Sequence, residues 1–286
     1  MLSINPNEIP IVKLHGYLLS AVAPRPIALA STIDADGNPN LSPFSFFNVF
    51  SANPPILIFS PARRVRGNTT KHTLENVKAT KEVVINMVNY NIVQQMSLSS
   101  TEYAKGVNEF EKAGFTMLTS EKVKPFRVAE SPIQLECKVT EVVELGTEGG
   151  AGNLIICEVV KLHIKEEFLD EDGAINQQKL DLVARAGGSL YSRAKEGFFE
   201  IPKPLTTLGI GVDSIPFEIK NSTVLTGNDL GMLGNVESFP PKVDVDKFAK
   251  EHPLNVGLNS VKKHTFAKAF LEKNDVVSAW KALLMK

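Results

Sequence analysis

Ile27-Ala-Leu-Ala-Ser-Thr-Ile-Asp34, then Ala35-Asp-Gly-Asn38, then Asn40-Leu-Ser-Pro-Phe-Ser-Phe-Phe-Asn-Val-Phe50 is the stretch whose reading decides the fold. An apolar run with β-compatible side chains meets a strong turn signal, Asp36-Gly37, and a second apolar run returns. The spacing predicts a β-hairpin. Pro43 cannot donate to a ladder, so the returning strand is expected at an edge or to be irregular.

Outward from this hairpin the pattern stays short-stranded. Pro54-Pro55 punctuates the chain before a strand at Ile56-Leu-Ile-Phe-Ser60. Residues 61–73 read as a polar, basic loop. Residues 73–80 read as a short helix with Thr73 as its N-cap, and Val83–Val88 as a strand. Residues 91–99 and 108–113 suit short helices. Two long β segments follow, near 132–145 and 154–166, joined by a glycine-rich connection (146–152) that reads as flexible; Asp170-Glu-Asp-Gly173 marks another turn. This order predicts a mainly β fold with helical decorations, of barrel type, and not an alternating βαβ sheet. Beyond residue 201 the character changes: five prolines break up 202–241, and 243–251 and 265–284 read as helices. The chain is therefore expected to divide into a barrel domain over 1–200 and a helical C-terminal extension over 201–286, packing on the barrel or on a partner subunit.

Composition limits the function classes. The 286 residues are 43% hydrophobic and 22% charged, with a net charge of −1, which gives no global attraction to nucleic acid or an anionic membrane. No apolar run approaches the ~18 residues of a membrane span. No basic-then-apolar leader opens the chain, so a cytoplasmic protein is expected. Cys137 and Cys157 lack metal-type spacing and read as reduced thiols beside a sheet. The five histidines are scattered, so no metal site is expected. Asn68-Thr-Thr and Asn221-Ser-Thr read as chance matches to a glycosylation sequon. No dinucleotide fingerprint, Walker loop, nucleophile elbow or zinc-protease motif is present. No catalytic acid–base pair stands out.

Two segments carry chemistry. Arg63-Arg-Val-Arg-Gly-Asn-Thr-Thr-Lys-His-Thr73 offers four permanent cations and three threonine hydroxyls before a helix start, a donor set suited to phosphate. A solvated basic loop explains the same residues; a nucleic-acid patch fits the overall charge poorly. The run Leu41–Ser51 mixes hydroxyls and an amide into aromatics, as a flat ring with one polar edge requires; a buried sheet core explains it equally. Only one short strand separates the two segments, so one ligand with a ring end and a phosphate end could touch both.

The ordered set resembles the flavin reductase-like, FMN-binding split-barrel family. It comprises Pro24-Arg-Pro-Ile-Ala-Leu-Ala-Ser-Thr-Ile-Asp34, Gly37, Asn40–Asn48, Ser51, Pro54-Pro55, Phe59-Ser60, Arg64, Lys71-His-Thr73 and Asn76. It continues through Val83-Val-Ile-Asn86, Ala129-Glu-Ser-Pro132, Leu135-Glu-Cys137, Gly152-Asn-Leu154 and Ala184-Arg-Ala-Gly-Gly-Ser-Leu-Tyr191. The resemblance implies a split β-barrel, a homodimer with FMN near the subunit interface, and hydride delivery from NAD(P)H to flavin. It further implies that Ser31, Thr32, Ser45, Phe46, Phe47 and Asn48 line the ring and ribityl, while Ser60, Arg64, Lys71 and Thr73 hold the phosphate. His72 stands where the family commonly has aspartate, which removes a carboxylate. Tyr191 and His163 are candidates for the pocket mouth, or structural residues. An FMN-binding electron carrier without nicotinamide activity, and a non-catalytic flavin- or haem-binding module, remain alternatives. Residues 201–286 receive no chemical role.

Overall fold

The computed structural model describes residues 1–285. The chain divides into two compact units, Met1–Phe198 and Phe199–Lys286.

The first unit is built on one antiparallel seven-stranded sheet. Its strands are β1 (Ala28–Ile33), β2 (Pro39–Phe44), β3 (Phe47–Ala52), β4 (Pro55–Phe59), β5 (Glu82–Met87), β6 (Ile133–Glu144) and β7 (Asn153–Ile164). They lie in the order β2-β1-β5-β6-β7-β4-β3. β1 and β2 form the expected hairpin, in register from Ala28 opposite Phe44 to Ile33 opposite Pro39. The returning run is not one strand. It breaks at Ser45-Phe46, and its halves join opposite edges of the sheet: β2 pairs β1, and β3 pairs β4. The two edges are thus two residues apart in the chain, and the sheet must curl until they nearly meet. The result is a split β-barrel whose opening lies at Ser45-Phe46. Pro39 and Pro43 fall on β2, the edge where a missing N–H costs no ladder bond.

Its longer helices are α1 (Ile11–Ala21), which the sequence reading did not anticipate, α2 (His72–Thr80), α3 (Val93–Leu98) and α4 (Glu109–Ala113). β1 is buried along its whole length, because alternate residues serve two cores. Ala28 and Ala30 face a cluster with Phe44, Phe59, Ile85, Ile155 and both cysteines, into which α2 inserts Leu74 and Val77. Ile27 and Leu29 face a second cluster with Leu41, Met96 and Phe110 beneath α3 and α4. Cys137 and Cys157 are free, buried thiols.

The second unit is helical, with α5 (Gly227–Gly234), α6 (Lys242–Glu251), α7 (Ser260–Leu271) and α8 (Val276–Leu284). Its own core centres on Leu233, Phe248, Leu271 and Trp280, the Trp280 indole N–H donating to Leu233 O at 3.0 Å. The single helix expected over 265–284 is instead two. Asn274 sits in the left-handed region at φ +58°, and the Asp275 side chain accepts from Ser278 N–H to start α8. Among the described residues, no helix is long and apolar enough to cross a membrane.

Candidate functional site

The basic loop 61–71 is held from behind. The 146–152 connection, expected to be flexible, is docked along it: Arg63 N–H donates to Ala151 O at 2.8 Å and Gly150 N–H to Arg63 O at 3.0 Å. A Cβ on Gly149 would stand 2.9 Å from Val65 O, so only glycine permits this approach. Asn68 adds a bond from its Nδ2 to Thr147 O at 2.9 Å.

Against that backing the loop aims two cations at one point. Arg64 is fixed by its Nη1 donating to Thr69 Oγ1 (2.9 Å) and Thr70 O (2.6 Å). Its Nε reaches Glu102 Oε1 at 2.7 Å, and Lys71 Nζ lies 3.5 Å from the same oxygen. The hydrogen bond and charge of Arg64, then the charge of Lys71, hold the Glu102 carboxyl below the usual carboxylate range. Arg64, Lys71 and Thr73 line one small cavity with Ser42, Ser100 and Glu102; it encloses about 20 Å³, room for one water. Outside it runs an open groove of about 540 Å³ lined by Arg63, Arg64, Thr70, His72, Glu75 and Lys105.

The start of α2 forms the cavity's other wall. Lys71, not Thr73, is the N-cap, and among the described residues no side chain caps the helix. Thr73 is turned inward, 1% exposed, where its Oγ1 accepts from Asn40 Nδ2 at 3.0 Å. The same Nδ2 lies 3.2 Å from Thr32 Oγ1, which also accepts from Asn76 Nδ2 at 3.1 Å. This buried network ties α2 to β1 and β2. Beneath it, Glu109 accepts from Leu41 N–H at 3.0 Å, and burial pushes its carboxyl above the usual range.

The other sequence-predicted residues lie elsewhere. Ser31 and Thr32 are wholly buried in β1, and the Ser31 hydroxyl has no hydrogen-bond partner among the described residues. Ser60 accepts from Asn153 N–H at 3.0 Å and joins the end of β4 to β7. Ser45 and Phe46 occupy the split. Ser45 is 3.5 Å from Arg25 Nε, and Phe46, 40% exposed, stands edge-on to His15. Phe47 packs against the barrel core, while Asn48 is exposed and accepts from Val49 N–H. The predicted set therefore occupies two exposed places, the cation cavity and the split, plus buried supporting positions. Tyr191 and His163 do not line the cavity: Tyr191 lies under Arg185, 4.5 Å from its guanidinium, and His163 Nε2 is 2.7 Å from buried Glu136. The sequence reading gave no role to Glu102 or Glu109; the hydroxyl run Ser99-Ser100-Thr101 before Glu102 was the available signal.

This donor set fits a phosphate. It provides a guanidinium, an ammonium and an uncapped helix start, and it already holds an anion, the Glu102 carboxylate.

A model of the flavin reductase like domain matches residues 20–181. A protein of Aquifex aeolicus is 39% identical over 181 residues, 63% of this chain and 90% of its own length. Nitrilotriacetate monooxygenase component B from Bacillus cereus superposes with a TM-score of 0.66 at 29% identity, covering 70% of this chain and 98% of that one. A protein from Shewanella frigidimarina assigned as a flavin reductase with split barrel domain superposes at 0.59 with 28% identity, covering 69% and 95%.

Proposed function

The chain belongs to the flavin reductase-like family, and on that premise we propose that it is an FMN-dependent oxidoreductase that takes hydride from NAD(P)H and passes it to flavin. The observation that carries the choice of FMN is the convergence of Arg64 and Lys71 on one carboxylate oxygen beside the start of α2. A phosphate dianion makes stronger use of that pair than a carboxylate does. When bound, the flavin supplies the hydride and electron-transfer chemistry.

The protein's part is to bind and orient. Arg64 is pre-set by Thr69 and Thr70, so little side-chain freedom is lost on meeting the phosphate. The Asn40–Thr32–Asn76–Thr73 network holds the α2 start in place. Ser45, Phe46, Phe47 and Asn48 are assigned to the ring end, at the split. Ser31, Thr32 and Thr73, being buried, act as supports in this reading, and Ser60 fixes the strand that leads into the basic loop. With no dinucleotide fingerprint in the sequence, NADH or NADPH is taken as a passing substrate. The Bacillus cereus and Shewanella frigidimarina proteins, a monooxygenase component and an assigned flavin reductase, support the reaction class.

The assembly is read as a homodimer, because edge strand β3 leaves Val49 and Phe50 over 60% exposed; light scattering tests the dimer, and a monomer at micromolar concentration overturns it.

FMN is expected to bind much more tightly than riboflavin. Arg64→Ala and Lys71→Ala should each weaken FMN binding about ten- to a hundredfold, as loss of a charge-assisted hydrogen bond implies, with little change for riboflavin. NADH or NADPH should bleach the bound flavin anaerobically. Equal affinities for the two flavins remove the phosphate assignment, and no bleaching by either nucleotide removes the reductase reading.

A further inference from the structure

We propose that Glu102 is an internal competitor for the phosphate cradle, so that it sets how strongly the site prefers a phosphorylated flavin over an unphosphorylated one. The proposal rests on the reading that Arg64 and Lys71 receive the FMN phosphate.

The geometry is that of an occupied cradle. A single oxygen, Glu102 Oε1, meets both cations, at 2.7 Å from Arg64 Nε and 3.5 Å from Lys71 Nζ. Arg64 Nη1 is taken up by Thr69 and Thr70, and Glu102 takes the Nε. The cavity left beside the carboxylate is about 20 Å³, room for one water and not for a phosphate group. A phosphate that is to meet both Arg64 Nε and Lys71 in this cavity must therefore displace the carboxylate.

Displacement is feasible because Glu102 is loosely anchored. It lies between α3 and α4, and its side chain is 62% exposed. Its hydrogen bonds and ion pairs are to Arg64 and Lys71 alone among the described residues. Those cations keep it ionised at neutral pH, so the competition is between two anions. Riboflavin, having no phosphate, need not move Glu102. The carboxylate thus lowers affinity for phosphorylated flavin selectively, and it keeps two cations paired when no ligand is present.

The test compares FMN and riboflavin binding to the full chain and to Glu102→Gln and Glu102→Ala, with thermal unfolding recorded to verify that each variant is folded. An exposed ion pair is worth up to a factor of about five, so both variants should bind FMN roughly three- to fivefold more tightly, with riboflavin unchanged. Inorganic phosphate should compete with FMN more effectively in the variants than in the parent. Unchanged or weaker FMN binding overturns the proposal, since Glu102 then shapes the loop rather than blocking it. An equal gain for both flavins also overturns it. Arg64→Ala separates this failure from that of the underlying reading. If it loses FMN affinity while the Glu102 variants gain none, the phosphate assignment stands and the competitor falls; if it leaves FMN untouched, the assignment falls and takes the competitor with it.

Discussion

Arg64 and Thr73 stand nine residues apart in one polar segment, and the fold uses them in opposite ways. Arg64 was legible: a guanidinium in a basic loop has few uses besides solvent or an anion, and it faces a cavity. The burial of Thr73 was not legible, because an exposed hydroxyl and one that accepts from a buried amide look alike in sequence; its partner Asn40 lies thirty-three residues away. Glu102 was hidden for the same reason, since only the folded chain brings it to Arg64. Glu136 shows how much a single buried carboxylate can organise away from the site. Wholly buried in β6, it accepts from the Glu121, Lys122 and Val123 N–H groups and meets His163 at 2.7 Å. Burial raises its pKa, but the hydrogen bonds from Glu121, His163 and Lys122 outweigh that and bring it below the usual range. A carboxyl depressed in the folded state stabilises above its unfolded pKa, ~4.3, and that stability is lost as pH falls through its folded pKa. Glu136→Gln should therefore lower unfolding free energy at pH 7 by about 1–3 kcal/mol, the cost of unsatisfied buried donors. The deficit relative to the parent should shrink towards pH 3. Urea titrations at both pH values measure this, and a deficit independent of pH contradicts it.

At the scale of elements, the strands were read well because short apolar runs and turn chemistry are local properties. The hairpin and the two long strands fall where the sequence placed them. Pro43 marked the returning run as an edge or irregular strand, but nothing local places the break at Ser45-Phe46, which exists because the sheet curls until both edges need a strand. The break between α7 and α8 was missed for the opposite reason, since its signal was present. Asn274-Asp275 pairs a residue tolerant of the left-handed region with a good N-cap, and helical spacing on either side masked it. Asn274→Ala, forced to keep φ +58°, should destabilise the C-terminal unit by about 1–2 kcal/mol, whereas Asn274→Gly should cost nothing or stabilise slightly. The order Gly ≥ Asn > Ala in thermal midpoint is the expected result. An Ala variant as stable as the parent would mean that the two helices can fuse into the single one the sequence suggested.

At the scale of the whole molecule, the family match and the cation cavity lie inside the first compact unit, while the second has a core of its own. The boundary at Phe198–Phe199 falls at the entry to a proline-bearing stretch, Ile201-Pro-Lys-Pro204; domain boundaries commonly lie in such linkers. Sequence reading expected a change of character beyond residue 201 from its prolines and helix-compatible spacing but could give the extension no chemistry, because its recognisable patterns are those of helix packing alone. The second unit does hold an open, largely apolar cavity of about 870 Å³, lined in part by Ile201, Val212, Met232 and Val236, so it is not featureless. If flavin binding needs only the first unit, a chain ending at Phe198 should fold, bind FMN with affinity within about threefold of the full chain, and keep its preference over riboflavin; threefold is well under the ~1.4 kcal/mol of a tenfold change. The complementary piece, Phe199–Lys286, should show helical circular dichroism and a cooperative thermal transition, because its buried Trp280, Phe248 and Leu271 come from within it. The informative failure is a first unit that folds yet loses FMN. The second unit would then supply part of the cofactor's environment, and the site described around Arg64 and Lys71 would be one part of a larger one.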